Sequence, residues 1–426
     1  MIGMLFQSLT GITDVFFLGR IGNAHAQAAI GIFGVLQGYL GSYNAIIGNG
    51  SISVISQLYG SGKHLEAGKA TTQTLSLKFF GSLVFVLPAF FFLRPLLTLL
   101  GATGDALTQG VIYGRILCLL IPVMNTGYTF NTALRAAGDA VTPMYLMLMS
   151  LVINLVFNAF FILGLGPFPK LGILGVAYST AIAQIVLLIV GLSYYSSPRS
   201  LIRIQLHEFI RPDIPLMRKI LRIGMPTGFQ GLIGSFAGSL IMRAISSFGM
   251  TIVATYTVAT RIAGFAGMPI GGLSFATSAI VGQNVGAKKT DRAINATNQA
   301  VLIALSITSF FFILFLFNPV FFLHIFSKDP SIDKIGVPVL LIFSFLQITG
   351  ALTSIFSAPL LGTGYLKIGF YLSLVVTWLV QIPCLFFLSF LFGINGIWSS
   401  FIIANFTNLF LTFVIFKRRN WLQHVI

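Results

Sequence analysis

The chain has 426 residues, of which 56% are hydrophobic and only 8% charged. Soluble domains carry about 25% charged residues, so this composition excludes a soluble globular protein and points to an integral membrane protein. The net charge of +16 would suit a nucleic-acid binder, but the cations fall on alternate loops rather than in one patch, and no nucleic-acid partner is expected.

In chain order, the first predicted span covers 1–19 and is read as a span rather than a cleavable leader. Five more follow at 26–59, 71–99, 107–134, 143–166 and 173–196. A linker over 197–222 carries Pro198, Pro212 and Pro215 with Arg199, Arg203, Arg211, Arg218, Lys219 and Arg222. Six further spans occupy 223–248, 251–285, 293–323, 336–361, 369–392 and 395–416, and a basic tail ends the chain at 417–426. A hydrocarbon core about 30 Å thick needs roughly 20 helical residues. Backbone groups in lipid must bond to one another, which leaves helices or closed barrels, and runs this long exclude alternating barrel strands. The expected fold is all-α, with twelve transmembrane helices.

The two sets of six are copies. QLYGSGKHLEAGKATTQ (57–73) aligns with QNVGAKKTDRAINATNQ (283–299) at a constant offset of 226, pairing Gln57 with Gln283 and Gln73 with Gln299. The same offset pairs Gly138 with Gly364, and LGILGVA (171–177) meets FGINGIW (392–398) at an offset of 221. An even number of spans per copy means both enter from the same side. The halves, 1–196 and 223–416, are therefore expected as six-helix bundles related by a pseudo-two-fold along the membrane normal. At the repeat offset the basic lead-in and Pro226 of the seventh span map before Met1, so the first helix is expected to lack its opening turn.

Most of the 25 Lys and Arg residues lie on loops after even-numbered spans or in the tail, such as Lys63, Lys69, Arg135, Lys288, Lys289, Arg292, Lys367 and Lys417–Arg419. By the positive-inside rule that side, with both termini, is cytoplasmic. Cys118 and Cys384 lie within apolar spans, so neither a disulfide nor a metal site is indicated.

Of nine acidic residues, only Asp14 is committed to a membrane interior. A charge at helix centre costs about 2.5–3.5 kcal/mol on insertion scales, which makes an intramembrane acid a functional candidate. Gln7 shares its helical face. On the fifth span Asn154 and Asn158 are four apart, and the same face extends back to Ser150 and Met147; Asn131 lies on the fourth. A stripe of Met, Ser and Asn is a cavity wall or a set of helix bridges rather than a lipid surface. A carboxyl group beside amides in such a cavity could exchange H⁺, because desolvation disfavours its charged form, or hold Na⁺ through its oxygens. The second half has no interior acid, only Gln230, Gln347 and Gln381.

Together these segments resemble the multidrug and toxic compound extrusion (MATE) transporters over nearly the whole chain. The residues that carry the resemblance are QSLTGITDVFFLGRIG (7–22), SQLYGSGK (56–63), ALRAAGD (133–139), INLVFNAFFILG (153–164), GMPTGFQGL (224–232) and IVGQNVGAKK (280–289). The resemblance implies a secondary active exporter of the bacterial inner membrane, monomeric, working by alternating access. It would exchange inward H⁺, or less readily Na⁺, for amphipathic and often cationic organic compounds, with no cofactor. It implies that Asp14 is the protonation switch, with Asn131, Asn154 and Asn158 beside it as in the DinF-like branch, and that Met4, Gln7, Met147 and Asn154 line the cargo cavity. Many relatives have Asp where Asn158 stands, which leaves one carboxylate here and favours H⁺. The NorM-like branch has acids in its seventh and tenth spans that this chain lacks.

Two other functions compete. A flippase for lipid-linked saccharides would keep the fold but line its cavity with several cations, and only Arg243 and Arg261 are clear interior candidates. An intramembrane enzyme would need a nucleophile with a base, and the five histidines are scattered in loops or at span edges.

Overall fold

The computed structural model describes residues 3, 6, 9–11, 13, 14, 16, 17, 24–165, 168–198, 200–325 and 330–423. All regular structure among them is helical. The described residues between 3 and 17 belong to α1. They are followed by α2 (Ala24–Gly60), α3 (His64–Phe91), the short α4 (Leu93–Leu99), α5 (Gly104–Ala136), α6 (Val141–Leu163), α7 (Ile173–Tyr195) and the short α8 (Leu206–Ile210). The rest comprises α9 (Ile214–Ser246), α10 (Met250–Gly286), α11 (Thr290–Phe317), α12 (Pro319–His324), α13 (Pro330–Thr363), α14 (Leu366–Leu374), α15 (Ile382–Phe392) and α16 (Ile394–Arg418). A π-helical stretch, Val375–Gln381, joins α14 to α15 in one span.

Among the described residues nine helices are long and apolar enough to cross a membrane, and α2 adds a tenth as a bent pair. α1 and α9 occupy the two remaining predicted spans. At 1.5 Å per residue α2 is about 55 Å long, far more than a bilayer core requires. It bends by 41° between Ala28–Gly41 and Tyr43–Gly60.

The internal repeat extends to the backbone. Gly62 and Lys288, 226 residues apart, both take positive φ, 81° and 58°; so do Gly138 and Gly364, at 96° and 78°. At the shorter offset Gly172 and Gly393 match at 57° and 58°. Each ends or begins a helix in a conformation that glycine adopts freely and lysine does not. Lys288 bears that cost because its copy closes in the same way: the amides of Lys63 and Lys289 donate to Leu58 O and Asn284 O at 3.0 and 2.7 Å.

Two compact units divide the chain, Ile2–Gly224 and Met225–Ile426. The amino-terminal unit is cored by Phe33, Leu93, Leu97, Cys118, Ile162 and Val176, with Phe33 edge-on to Tyr113 at 5.5 Å. Within it α2 meets the start of α9 backbone to backbone. A Cβ at Gly50 would strike Ile220 O, and one at Gly224 would strike Ile46 O. Small residues let the helices approach that closely. The carboxy-terminal unit has its own core around Ile245, Ala259, Leu340, Leu385 and Ile397, with Tyr256 stacked on Trp398. Both cysteines are free thiols, Cys118 buried and Cys384 half-buried.

The predicted linker differs from expectation. α9 begins at Ile214, inside it, because Asp213 caps the helix by accepting from Leu216 N at 3.0 Å and Pro215 sits in the first turn, where no backbone donor is needed. The segment before it is docked on α3. Gln73 Nε2 donates to Glu208 O and Arg211 O at 2.8 Å each, its Oε1 accepts from Asp213 N at 2.9 Å, and Thr72 Oγ1 accepts from Gln205 N at 3.0 Å. Lys69 pairs with Asp213 at 2.8 Å.

Candidate functional site

The amino-terminal unit holds an open cavity of about 450 Å³ lined by residues of four helices and of α1. α1 supplies Thr10, Gly11 and Asp14, α2 Gln37, α5 Tyr113, Tyr128 and Asn131, α6 Met147 and Ser150, and α7 Thr180 and Gln184. Asp14 is 8% exposed and Asn154 and Asn158 are fully buried. The carboxyl group thus lies largely buried at the cavity wall.

The predicted face of α6 is the one that turns inward, since Met147, Ser150, Asn154 and Asn158 are all buried. Asn158 Nδ2 donates to Asp14 Oδ1 at 2.7 Å and to Asn154 Oδ1 at 3.1 Å. Its own Oδ1 accepts from the hydroxyl of Ser179 on α7. Asn154 Oδ1 also accepts from Thr13 Oγ1 at 3.1 Å, while its Nδ2 donates to Thr180 Oγ1 at 3.3 Å. One network therefore joins both amides to Asp14, Thr13, Ser179 and Thr180. Asp14 makes no ion pair among the described residues.

Asn131 lines the same cavity but makes no bond to Asp14; its buried Oδ1 has no hydrogen-bond partner. Met147 lines it too, backed by Arg135, whose Nη2 lies 3.3 Å from Sδ. Asn154, expected at the cargo surface, sits behind Thr13 and Thr180 and anchors them. Met4 and Gln7 lie outside the described residues. Among the second-half amides, Gln347 bridges helices by donating to Ala263 O at 2.9 Å. The loop acid Asp139 is structural: it caps α6 through Val141 N and Thr142 N and accepts from Tyr194 OH at 3.1 Å.

The sequence reading missed Thr13, Ser179, Thr180, Gln184, Gln37 and the two tyrosines. Thr10 with Asp14, and Thr180 with Gln184, recur at four-residue spacing, a signal of a shared face. Ser and Thr are so common in membrane helices, where they bond to their own backbone as Thr126 does to Pro122 O, that the signal is faint.

Residues 1–160 and 226–387 match the MatE family. A probable multidrug resistance protein of Bacillus subtilis is 27% identical over 402 residues, 93% of this chain and 87% of that protein. An FAD transporter of Shewanella oneidensis is 29% identical over 334 residues, 75% of this chain and 71% of its own. In fold the chain is similar to an outward-facing multidrug resistance MATE transporter of the MOP superfamily. The TM-score is 0.89 at 23% identity, covering 98% of this chain and 93% of that one. The all-helical elements fit the twelve-helix, two-bundle layout of that fold. The chain belongs to the multidrug and toxic compound extrusion family, as a multi-pass membrane transporter and not an enzyme.

Proposed function

We propose that the protein exports amphipathic, often cationic, organic compounds in exchange for inward-moving H⁺, with Asp14 as the group that takes and releases the proton. The observation that carries this reading is the hydrogen bond from Asn158 Nδ2 to Asp14 Oδ1. It leaves the carboxyl group with a neutral donor and no cation, so gaining or losing a proton changes the net charge of the cavity wall. In a low-dielectric site that change is worth far more than in water, which makes the group an effective switch between two helix arrangements. Relatives named as multidrug export proteins support the cargo class. So does the cavity itself: its lining has one acid, two tyrosines and several amides, and no Lys or Arg among the described residues. A lipid-linked saccharide flippase, or a carrier of an anionic nucleotide, would be served by cations there.

The charged loops support a plasma-membrane exporter with both termini in the cytoplasm, acting as a monomer with the bilayer and its cargo as its partners. Purified protein in proteoliposomes tests the coupling. A pH gradient imposed without Na⁺ should drive uptake of a fluorescent organic cation, and strict Na⁺ dependence would overturn the H⁺ reading.

A further inference from the structure

Lys78 lies in the middle of α3, about 21 Å from the first residue of that helix at 1.5 Å per residue. It is 1% exposed. Charged groups in this position are rare, and those that persist pair with another group or sit on an ion or proton pathway. Among the described residues Lys78 forms neither an ion pair nor a hydrogen bond. No carboxylate, histidine, tyrosine or cysteine of α2, α4, α5 or α8, the elements packed on α3, bonds to its Nζ. Tyr43 on α2 gives its hydroxyl to Leu77 O at 2.6 Å.

What faces Lys78 is the cytoplasmic arm of α2. A Cβ at Gly48 would lie 3.5 Å from Nζ, so the amine rests on that glycine. Asn44, one turn earlier, shares the face, and its buried Oδ1 has no donor. A donor without an acceptor and an acceptor without a donor thus stand on facing helices one turn apart. An unpartnered polar atom in such a place is costly, and each can relieve the other by a modest shift of α2 against α3. The same helix presents Gln37 to the Asp14 cavity on its other arm, beyond the 41° bend.

We propose that Lys78 is a second proton-exchange site of the transport cycle: its amine takes up a proton in the arrangement where Nζ reaches Asn44 Oδ1, and releases it in the arrangement seen here. The step is a simple association of H⁺ with the nitrogen lone pair and its reversal, with no other bond made or broken. The bend of α2 carries the change between the two arms, so Asp14 and Lys78 load in one cycle. This inference rests on the H⁺-coupled reading of the site.

The test is the proton-to-cargo ratio in proteoliposomes held at zero membrane potential, read as the slope of the logarithm of the sustained cargo gradient against the pH difference. With two linked sites the wild-type slope is about two, and Lys78→Met, which fills the same apolar space without a titratable group, lowers it to about one. Asn44→Leu, which leaves Lys78 in place but removes its acceptor, should lower the slope as well, and it keeps the test open if Lys78→Met does not fold. An unchanged slope in a folded Lys78→Met protein overturns the role of Lys78 while leaving Asp14 as the coupling group. A cargo gradient that no pH difference sustains, even in the wild type, overturns the H⁺ reading itself.

Discussion

Asn158 donates to Asp14 across a sequence separation of 144 residues, at 2.7 Å, and the same amide nitrogen reaches Asn154 at 3.1 Å. α1 is thereby tied to α6 at one carboxyl group. Asp14→Asn keeps the size of the side chain and an oxygen that can accept from Asn158, but it holds no exchangeable charge. It should abolish cargo efflux while leaving protein abundance and melting temperature close to wild type. Dye accumulation in cells, read beside immunoblot levels, checks both halves of that expectation.

Asn158→Ala removes a donor to two acceptors and an acceptor for Ser179 in one step. Buried groups left without partners cost about 1–3 kcal/mol each, so this variant should be both less stable and impaired in transport. Thermal unfolding in detergent measures the first loss. Asn158→Asp has a different outcome: two carboxylates now stand side by side, and with the neighbouring oxygens of Asn154 and Thr180 they form a set that can hold Na⁺. Cargo uptake in vesicles should become responsive to Na⁺ where the wild type is not.

Much of this site was legible before the fold was known. A lone acid in an apolar run is conspicuous because of what ionisation costs there, and four-residue spacing alone put Asn154 and Asn158 on one face. The orientation of an amide cannot be read that way. It depends on Ser179 and Thr180, two small polar residues in LGVAYSTAIAQ that look like ordinary helix-packing residues until α7 is laid against α6. The resemblance implies Asn131 beside Asp14; it lines the same cavity, and its buried Oδ1 has no partner there. Lys78 is inconspicuous in the sequence for the opposite reason. It follows TTQTLSL, a stretch polar enough to pass for the edge of a span, although the helix runs on from His64 to Phe91. The left-handed turn at Lys288 is legible only through its repeat partner Gly62.

Asn131 lines the amino-terminal cavity, and its Oδ1 is buried there without a hydrogen-bond partner. Asn131→Leu should therefore leave folding intact or slightly improved, since it removes an unsatisfied polar atom, and weaken cargo binding by about tenfold through loss of one hydrogen bond to a charged or polar group. Calorimetric or fluorescence titration with an organic cation separates this from a folding defect.

At Gly50 and Gly224 an added Cβ would run into backbone, at Ile220 O and Ile46 O respectively. Gly50→Val must push α2 off Ile220, and Gly224→Val must push α9 off Ile46. Overpacking of this kind costs about 1–3 kcal/mol. Gly34→Val, where a side chain meets nothing within 4 Å, is the control. The first two should unfold at lower temperature than wild type in the same detergent, and the control should not.

The docking of the linker on α3 has a pH dependence of defined sign. The hydrogen bond from the Lys69 ammonium holds the Asp213 carboxyl below the usual carboxylate range, and the amide of Leu216 adds to the effect. A carboxyl group whose affinity for protons is lowered by folding contributes stability that is complete above its unfolded value of about 4 and is lost as pH falls through the lower folded value. Residues 203–213 should therefore stay protected at neutral pH and loosen only in strong acid. Limited proteolysis or amide hydrogen exchange of this segment between neutral pH and about pH 3 reads the change directly. Lys69→Met removes the larger cause while leaving the Leu216 amide in place, so the loosening should move to higher pH without disappearing. Asp213→Asn retains an oxygen to cap α9 but cannot pair with Lys69, and its protection should no longer vary with the titration of this site.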